Sequence, residues 1–145
     1  MKSLPHQYNV TATGAPTGTV TLSHAGVPDL PTAPPVEFGG PGDNWSPEGL
    51  LTGAVADCFI LTFRAVARAA KLEWSKLEVS VEGILDRQEG VTAFTAFNIR
   101  AEVTIAAEAD SAQAESSLQR AERGCLVSNS LKATMHLETV VHQAG

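Results

Sequence analysis

The sequence predicts an α+β fold, because its strand-like and helix-like segments are segregated along the chain rather than alternating one for one. Two observations carry this reading. Residues 7–24, 76–87 and 93–106 show the two-residue alternation of half-buried strands. Residues 46–72 and 110–123 show helical patterning with capping signals at their ends. A chain of 145 residues can bury one respectable core but not two, so a single domain over residues 1–145 is expected.

Taken in order, QYNVTATGAPTGTVTLSH at 7–24 places two Val/Thr-rich runs on either side of GAPTG, the pattern of a β-hairpin. Residues 25–45 are crowded with Pro and Gly, which argues against regular structure and predicts a surface loop able to act as a lid. Ser46 is then a good N-cap, Pro47 suits the first helical position, and Glu48 favours the positive end of the helix dipole. The helix is expected to run to about Leu72, with apolar residues round nearly its whole circumference. Such a helix must be buried on all sides. One sheet covers one side only, so an obligate homodimer is expected.

KLEVSVEGILDR at 76–87 and residues 93–106, separated by QEGV, read as an antiparallel strand pair. Asp110 to Arg123 reads as an amphipathic helix stopped by Gly124, with Cys125 directly after it. Residues 133–141 alternate again and close an antiparallel sheet.

Charge and composition exclude some functions. A net charge of −6 and a pI near 5.1, with no Lys/Arg cluster, argue against binding nucleic acid or an anionic membrane. MKSLPHQYNV has no apolar core of a secretory signal, and the apolar run 50–63 is interrupted by Asp57 and falls short of the roughly 20 residues that span a bilayer. A cytoplasmic protein is expected.

Two cysteines in a reducing compartment do not make a disulfide scaffold. They are either inert core thiols or a redox pair, and spacing alone leaves both open. Cys58 lies mid-helix, where the dipole helps little; Cys125 opens a new turn, where free amides favour a thiolate. The four histidines have no metal-ligand spacing, and no cofactor is expected.

The run FGGPGDNWSPEGLLTGAVADCF, together with AERGCLVSNSLKATMHLE, resembles the OsmC/Ohr family, named for osmotic induction and organic hydroperoxide resistance. The acid in SPE, the Cys in ADCF and the second Cys before VSNS form the signature, and the element order agrees over nearly the whole chain. The resemblance implies antiparallel sheets packed around a long buried central helix in an intertwined homodimer. It also implies a thiol-dependent peroxidase of organic hydroperoxides. In that scheme Cys58 is the peroxidatic thiol, Cys125 the resolving thiol, Glu48 the active-site acid, and the reductant an external dithiol, often a lipoylated protein.

Ten residues of continuous helix separate Glu48 from Cys58 by about 15 Å and about 80° of rotation. The two would meet only across a dimer, or if Gly49 or Gly53 broke the helix.

In one respect the chain departs from the family. Its peroxidases carry an arginine in the N-terminal hairpin that holds the cysteine as thiolate; here the corresponding residue is Thr19, and no arginine precedes Arg64. A buried thiol without a neighbouring cation is expected above the free value of about 8.5. Arg64 lies about 120° round the helix from Cys58 and is not expected to replace that charge within one chain; Arg100, His24 or an arginine of the other subunit are the candidates. The departure also motivates a second reading, an OsmC-like dimer that has lost peroxidase chemistry and binds a small apolar ligand at its interface.

Overall fold

The computed structural model describes all 145 residues, Met1 to Gly145, as two compact units, Met1–Leu50 and Leu51–Gly145. In the first unit, strands β1 (Thr11–Thr13), β2 (Val20–Ser23) and β3 (Leu30–Thr32) form an antiparallel sheet in that order. β1 and β2 are the expected hairpin.

The segment 25–45 is more ordered than its composition suggested. β3 pairs with β2 through Leu22↔Leu30 and Val20↔Thr32, placing Pro31 on a three-residue edge strand where a missing N–H is tolerated. The Thr32 hydroxyl adds a bond to the Val20 carbonyl at 3.2 Å. A short 3₁₀ turn at Val36–Phe38 follows, closed by amides of Phe38, Gly39 and Gly40 donating back to carbonyls of Pro35 and Val36. Gly40 is obligatory: a Cβ there would lie 1.6 Å from the Pro34 carbonyl oxygen.

Helix α1 (Pro47–Ala69) begins as its capping residues demand. The Ser46 hydroxyl accepts from the Gly49 amide at 3.0 Å, and the helix runs unbroken through Gly49 and Gly53. It stops where Lys71 enters the left-handed region at φ 54 and the Leu72 amide bonds back to the Ala67 carbonyl.

In the second unit, β4 (Trp74–Gln88) and β5 (Val91–Ile105) form a long antiparallel hairpin. Its two-residue turn, Glu89 and Gly90, has positive φ at both positions, the geometry that matches strand twist. Helix α2 (Ser111–Gly124) is capped by Asp110, whose carboxylate accepts from the Ala112 amide at 2.9 Å. A single turn, α3 (Leu126–Asn129), precedes β6 (Thr134–Gln143).

β6 lies parallel to β5 rather than antiparallel, so this sheet is mixed, in the order β4-β5-β6. The cause is α2: a helix between two neighbouring strands carries the chain back to the starting edge, and the next strand runs the same way. The Thr139 hydroxyl ties β6 to that helix by donating to the Glu115 carboxylate at 2.6 Å.

The core forms where α1 and α2 meet the sheet. Val55, Phe59, Phe63 and Ala67, each four residues apart, are fully buried with Phe97, Ala101 and Val103 of β5 and Ala114, Leu118 and Ala121 of α2. Each large side chain so buried stabilises the fold by roughly 1.5–3 kcal/mol. Gly83 on β4 lets α1 come close, since a Cβ there would stand 2.9 Å from both Thr52 Oγ1 and Phe94 Cε1.

Only that one stripe of α1 is buried within the chain, and Leu61 on another face is 53% exposed. At 23 residues α1 ends three residues short of the expected Leu72. By length and hydropathy alone it meets the criterion for crossing a membrane, a test that the core helix of a soluble protein also passes.

Candidate active site

Cys58 and Cys125, far apart in sequence, lie together in the second unit. Cys58 sits in the middle of α1 and is half-buried, next to the buried Phe59. Thr62, one helical turn later, donates its hydroxyl to the Cys58 carbonyl at 2.7 Å and places the same oxygen 3.8 Å from the Cys58 sulfur. Cys125 is 1% exposed and joins α2 to α3. Its amide donates to the Glu122 carbonyl and its carbonyl accepts from the Asn129 amide, which fixes the residue from both sides. The adjoining Gly124 packs against Thr62, its Cβ position being 3.6 Å from Thr62 Cγ2.

This arrangement shifts the two thiols in opposite directions. Burial alone would raise the Cys58 thiol, but the Val127 amide, the Cys125 thiol, the Thr62 hydroxyl once turned from the carbonyl, and the Leu126 amide can each donate to its thiolate. Together they outweigh burial and bring Cys58 below the ordinary thiol value. Cys125 moves the opposite way. Burial raises it most, the hydroxyl and amide of Ser128 offset part of that, and the neighbouring Cys58 raises it further. The two thiols are thus biased in opposite directions, Cys58 the more acidic and Cys125 the less.

Two expectations are corrected here. Lacking an arginine does not leave Cys58 with a raised pKa, because neutral donors do the work assigned to a cation. Of the amides opening the turn after Cys125, those of Leu126 and Val127 lower Cys58, while Cys125 itself is raised.

Neither of the two named stand-ins on this chain, nor Arg64, is a donor to the sulfur. Arg100 lies on an exposed strand face, bonded to Glu102 at 2.9 Å and 3.7 Å from Glu138. His24 is exposed, its ring bonded to the Ala25 carbonyl. Arg64 is exposed on α1. Thr19 immediately precedes β2 and is exposed.

Glu48 lies on the first turn of α1, in the first unit, where it lines a pocket of about 510 Å³. Val20, Leu22, Ala33, Pro34 and Phe38 make that pocket mostly apolar. Because α1 is continuous, neither glycine breaks it to bring this acid to the cysteine of its own chain.

Sequence reading missed Thr62 and Ser128. Thr62 was detectable, since positions i and i+4 share a helix face. Ser128 was not, because a one-turn helix has too few residues to show a period.

Fold and paired thiols together define a small α+β dithiol protein of OsmC-like architecture. The chain belongs to the OsmC family: residues 40–140 match the family model described as OsmC-like protein. It is 31% identical over 107 residues to the uncharacterised protein YmaD of Bacillus subtilis, covering 72% of this chain and 71% of that one. Among solved structures it is similar to an OsmC-like protein of unknown function from Vibrio cholerae, with a TM-score of 0.86 and 17% identity over 94% of this chain and 100% of that one. It is also similar to an organic hydroperoxide resistance protein from Elizabethkingia anophelis, with a TM-score of 0.78 and 20% identity over 99% and 100% of the two chains.

Proposed function

We propose that the protein is a thiol-dependent peroxidase that reduces organic hydroperoxides. The observation that carries this reading is the opposed polarisation of two neighbouring sulfurs, Cys58 towards thiolate and Cys125 towards thiol. Burial alone would raise both thiols, and only Cys58 is brought below the ordinary value. The names of solved relatives, organic hydroperoxide resistance proteins from Legionella pneumophila and Elizabethkingia anophelis, favour the same substrate class.

In the proposed cycle the Cys58 thiolate attacks the distal peroxide oxygen. The O–O bond breaks, the alkoxide takes a proton from solvent and leaves as an alcohol, and Cys58 becomes a sulfenic acid. The Cys125 thiol then attacks that sulfur, forming the Cys58–Cys125 disulfide and releasing water. An external dithiol, of lipoyl type in this proposal, reduces the disulfide through two thiol exchanges.

Glu48 is the third proposed catalytic residue, acting on the thiol of a second copy of the chain. The incompletely covered apolar surface of α1, Leu61 included, favours a homodimer in which all 145 residues act as one OsmC-like unit around shared central helices. We read α1 accordingly as the core helix of a soluble cytoplasmic protein.

The test is consumption of cumene hydroperoxide with dihydrolipoamide as reductant. Wild-type protein turns over, and Cys58→Ser protein is inactive. Equal rates for the two would end the peroxidase reading. The pocket beside Glu48 supports a second reading, a dimer that holds a small apolar ligand. Native mass spectrometry of freshly isolated protein separates the two, since a uniformly empty dimer with fast peroxide turnover contradicts ligand storage.

A further inference from the structure

We propose that Thr62 is the positioning residue that selects Cys58 as the attacking sulfur, replacing with a neutral hydroxyl the cation that such a site otherwise uses. This deepens the peroxidase reading and rests on the same pair of cysteines.

Three geometric facts place Thr62 there. Its Oγ1 is 3.8 Å from the Cys58 sulfur, within reach of a hydrogen bond to sulfur. The same oxygen donates to the Cys58 carbonyl at 2.7 Å, which holds the side chain in one rotamer. A Cβ added at Gly124, the residue before Cys125, would lie 3.6 Å from its methyl group, so Thr62 stands beside the segment that carries Cys125.

The hydroxyl carries one proton and has two acceptors. While Cys58 is a thiol, its S–H donates to Oγ1 and the hydroxyl donates to the carbonyl. Once the sulfur loses its proton, rotation about the Cβ–Oγ bond turns the hydroxyl to the thiolate. No backbone movement is needed.

The titratable group facing Cys58 is Cys125. The charged residues nearest along the packed elements, Asp57 and Arg64 on α1 and Arg123 on α2, are exposed. A thiolate held by hydroxyl and amide donors differs from one held by a guanidinium in its response to salt. Screening weakens a charge–charge attraction but leaves short-range hydrogen bonds nearly unchanged.

The experiment follows iodoacetamide alkylation of Cys58 by peptide mass spectrometry across pH, in reduced full-length wild type, Thr62→Val, Thr62→Ala and Thr62→Ser. Val and Ala should slow alkylation at pH 7 roughly three- to tenfold and move the midpoint of the pH profile upward, while Ser restores both, as expected for loss and return of one hydrogen bond to a charged acceptor. The wild-type midpoint should stay fixed between about 20 mM and about 1 M NaCl.

An unchanged midpoint in a Val or Ala variant that melts like wild type overturns the assignment. So does a Ser variant that shifts as far as Val, because then the methyl and not the hydroxyl matters, and so does a midpoint that climbs with salt. If Val does not fold, Ala supplies the same comparison. Treating the same proteins with cumene hydroperoxide keeps the two readings apart. A shifted alkylation profile with no oxidation of any variant, wild type included, leaves Thr62 as positioning residue and removes the peroxidase.

Discussion

Joining Cys58 to Cys125 should make the oxidised protein markedly harder to unfold than the reduced one. The bond closes a loop of 67 residues. Loop-closure entropy then gives roughly 4 kcal/mol at 25 °C in the chain-entropy description. For a chain of this length 1 kcal/mol moves Tm by about 2–4 °C, so a gain of about 10 °C is expected. Native strain, set by how far the two segments must shift to reach disulfide geometry, subtracts from that gain. The assay compares thermal melts, at one protein concentration, of protein oxidised with one equivalent of cumene hydroperoxide and protein kept in phosphine reductant. Cys125→Ser provides the control and should show no oxidation-dependent rise. A peroxide-treated wild type that melts with the reduced form, or a variant that gains as much, refutes the claim that these sulfurs are poised to bond.

Other outcomes follow from the same packing and hydrogen bonds. Phe59→Ala, at a fully buried position of the core, should cost about 3–5 kcal/mol in urea unfolding. Gly83→Ala forces a methyl into contact with Phe94 and Thr52 and should cost about 1–3 kcal/mol, read as a lowered Tm. Because Cys58 is depressed on folding, its contribution to stability is present above the unfolded thiol value of about 8.5 and is lost as pH falls through the folded value. Cys58→Ser should therefore lose more stability relative to wild type at pH 9 than at pH 6, and equal losses at both would contradict the depressed thiol. Glu102 is held below its ordinary range first by His142, bonded at 2.7 Å, and then by Arg100. In His142→Ala its carboxyl should titrate higher by NMR while peroxide turnover stays unchanged.

Local chemistry made much of the fold readable. Ser46 and Pro47 mark the start of α1, Asp110 caps α2, and the alternation through Leu77 and Val79 and from Phe97 to Ile105 marks strands with one buried face. β3 escaped notice because Pro31 argues against a strand, and only its position on a short edge makes the pairing possible. The parallel register of β6 escaped because alternation reports which face is buried and says nothing of direction.

The site was legible in a different measure. Cys58, Cys125 and Glu48 drew attention through a family signature rather than through any period, since residues this distant in sequence advertise no contact. Missing arginine pointed to a thiol with a raised pKa, and that expectation failed for a physical reason. Backbone amides are present at every residue and invisible in composition, so amides aimed at a sulfur leave no trace in the sequence. Leu126 and Val127 supply them here because Cys125 ends one helix and begins another.

The most direct measurement is trapping with dimedone after a brief pulse of cumene hydroperoxide, on Cys125→Ser and Cys58→Ser proteins side by side. Cys125→Ser should carry the adduct on Cys58, because its sulfenic acid has lost the partner that condenses with it, and Cys58→Ser should carry none. No adduct in either protein, or an adduct on Cys125 alone, would contradict the assignment of Cys58 as the sulfur that meets peroxide.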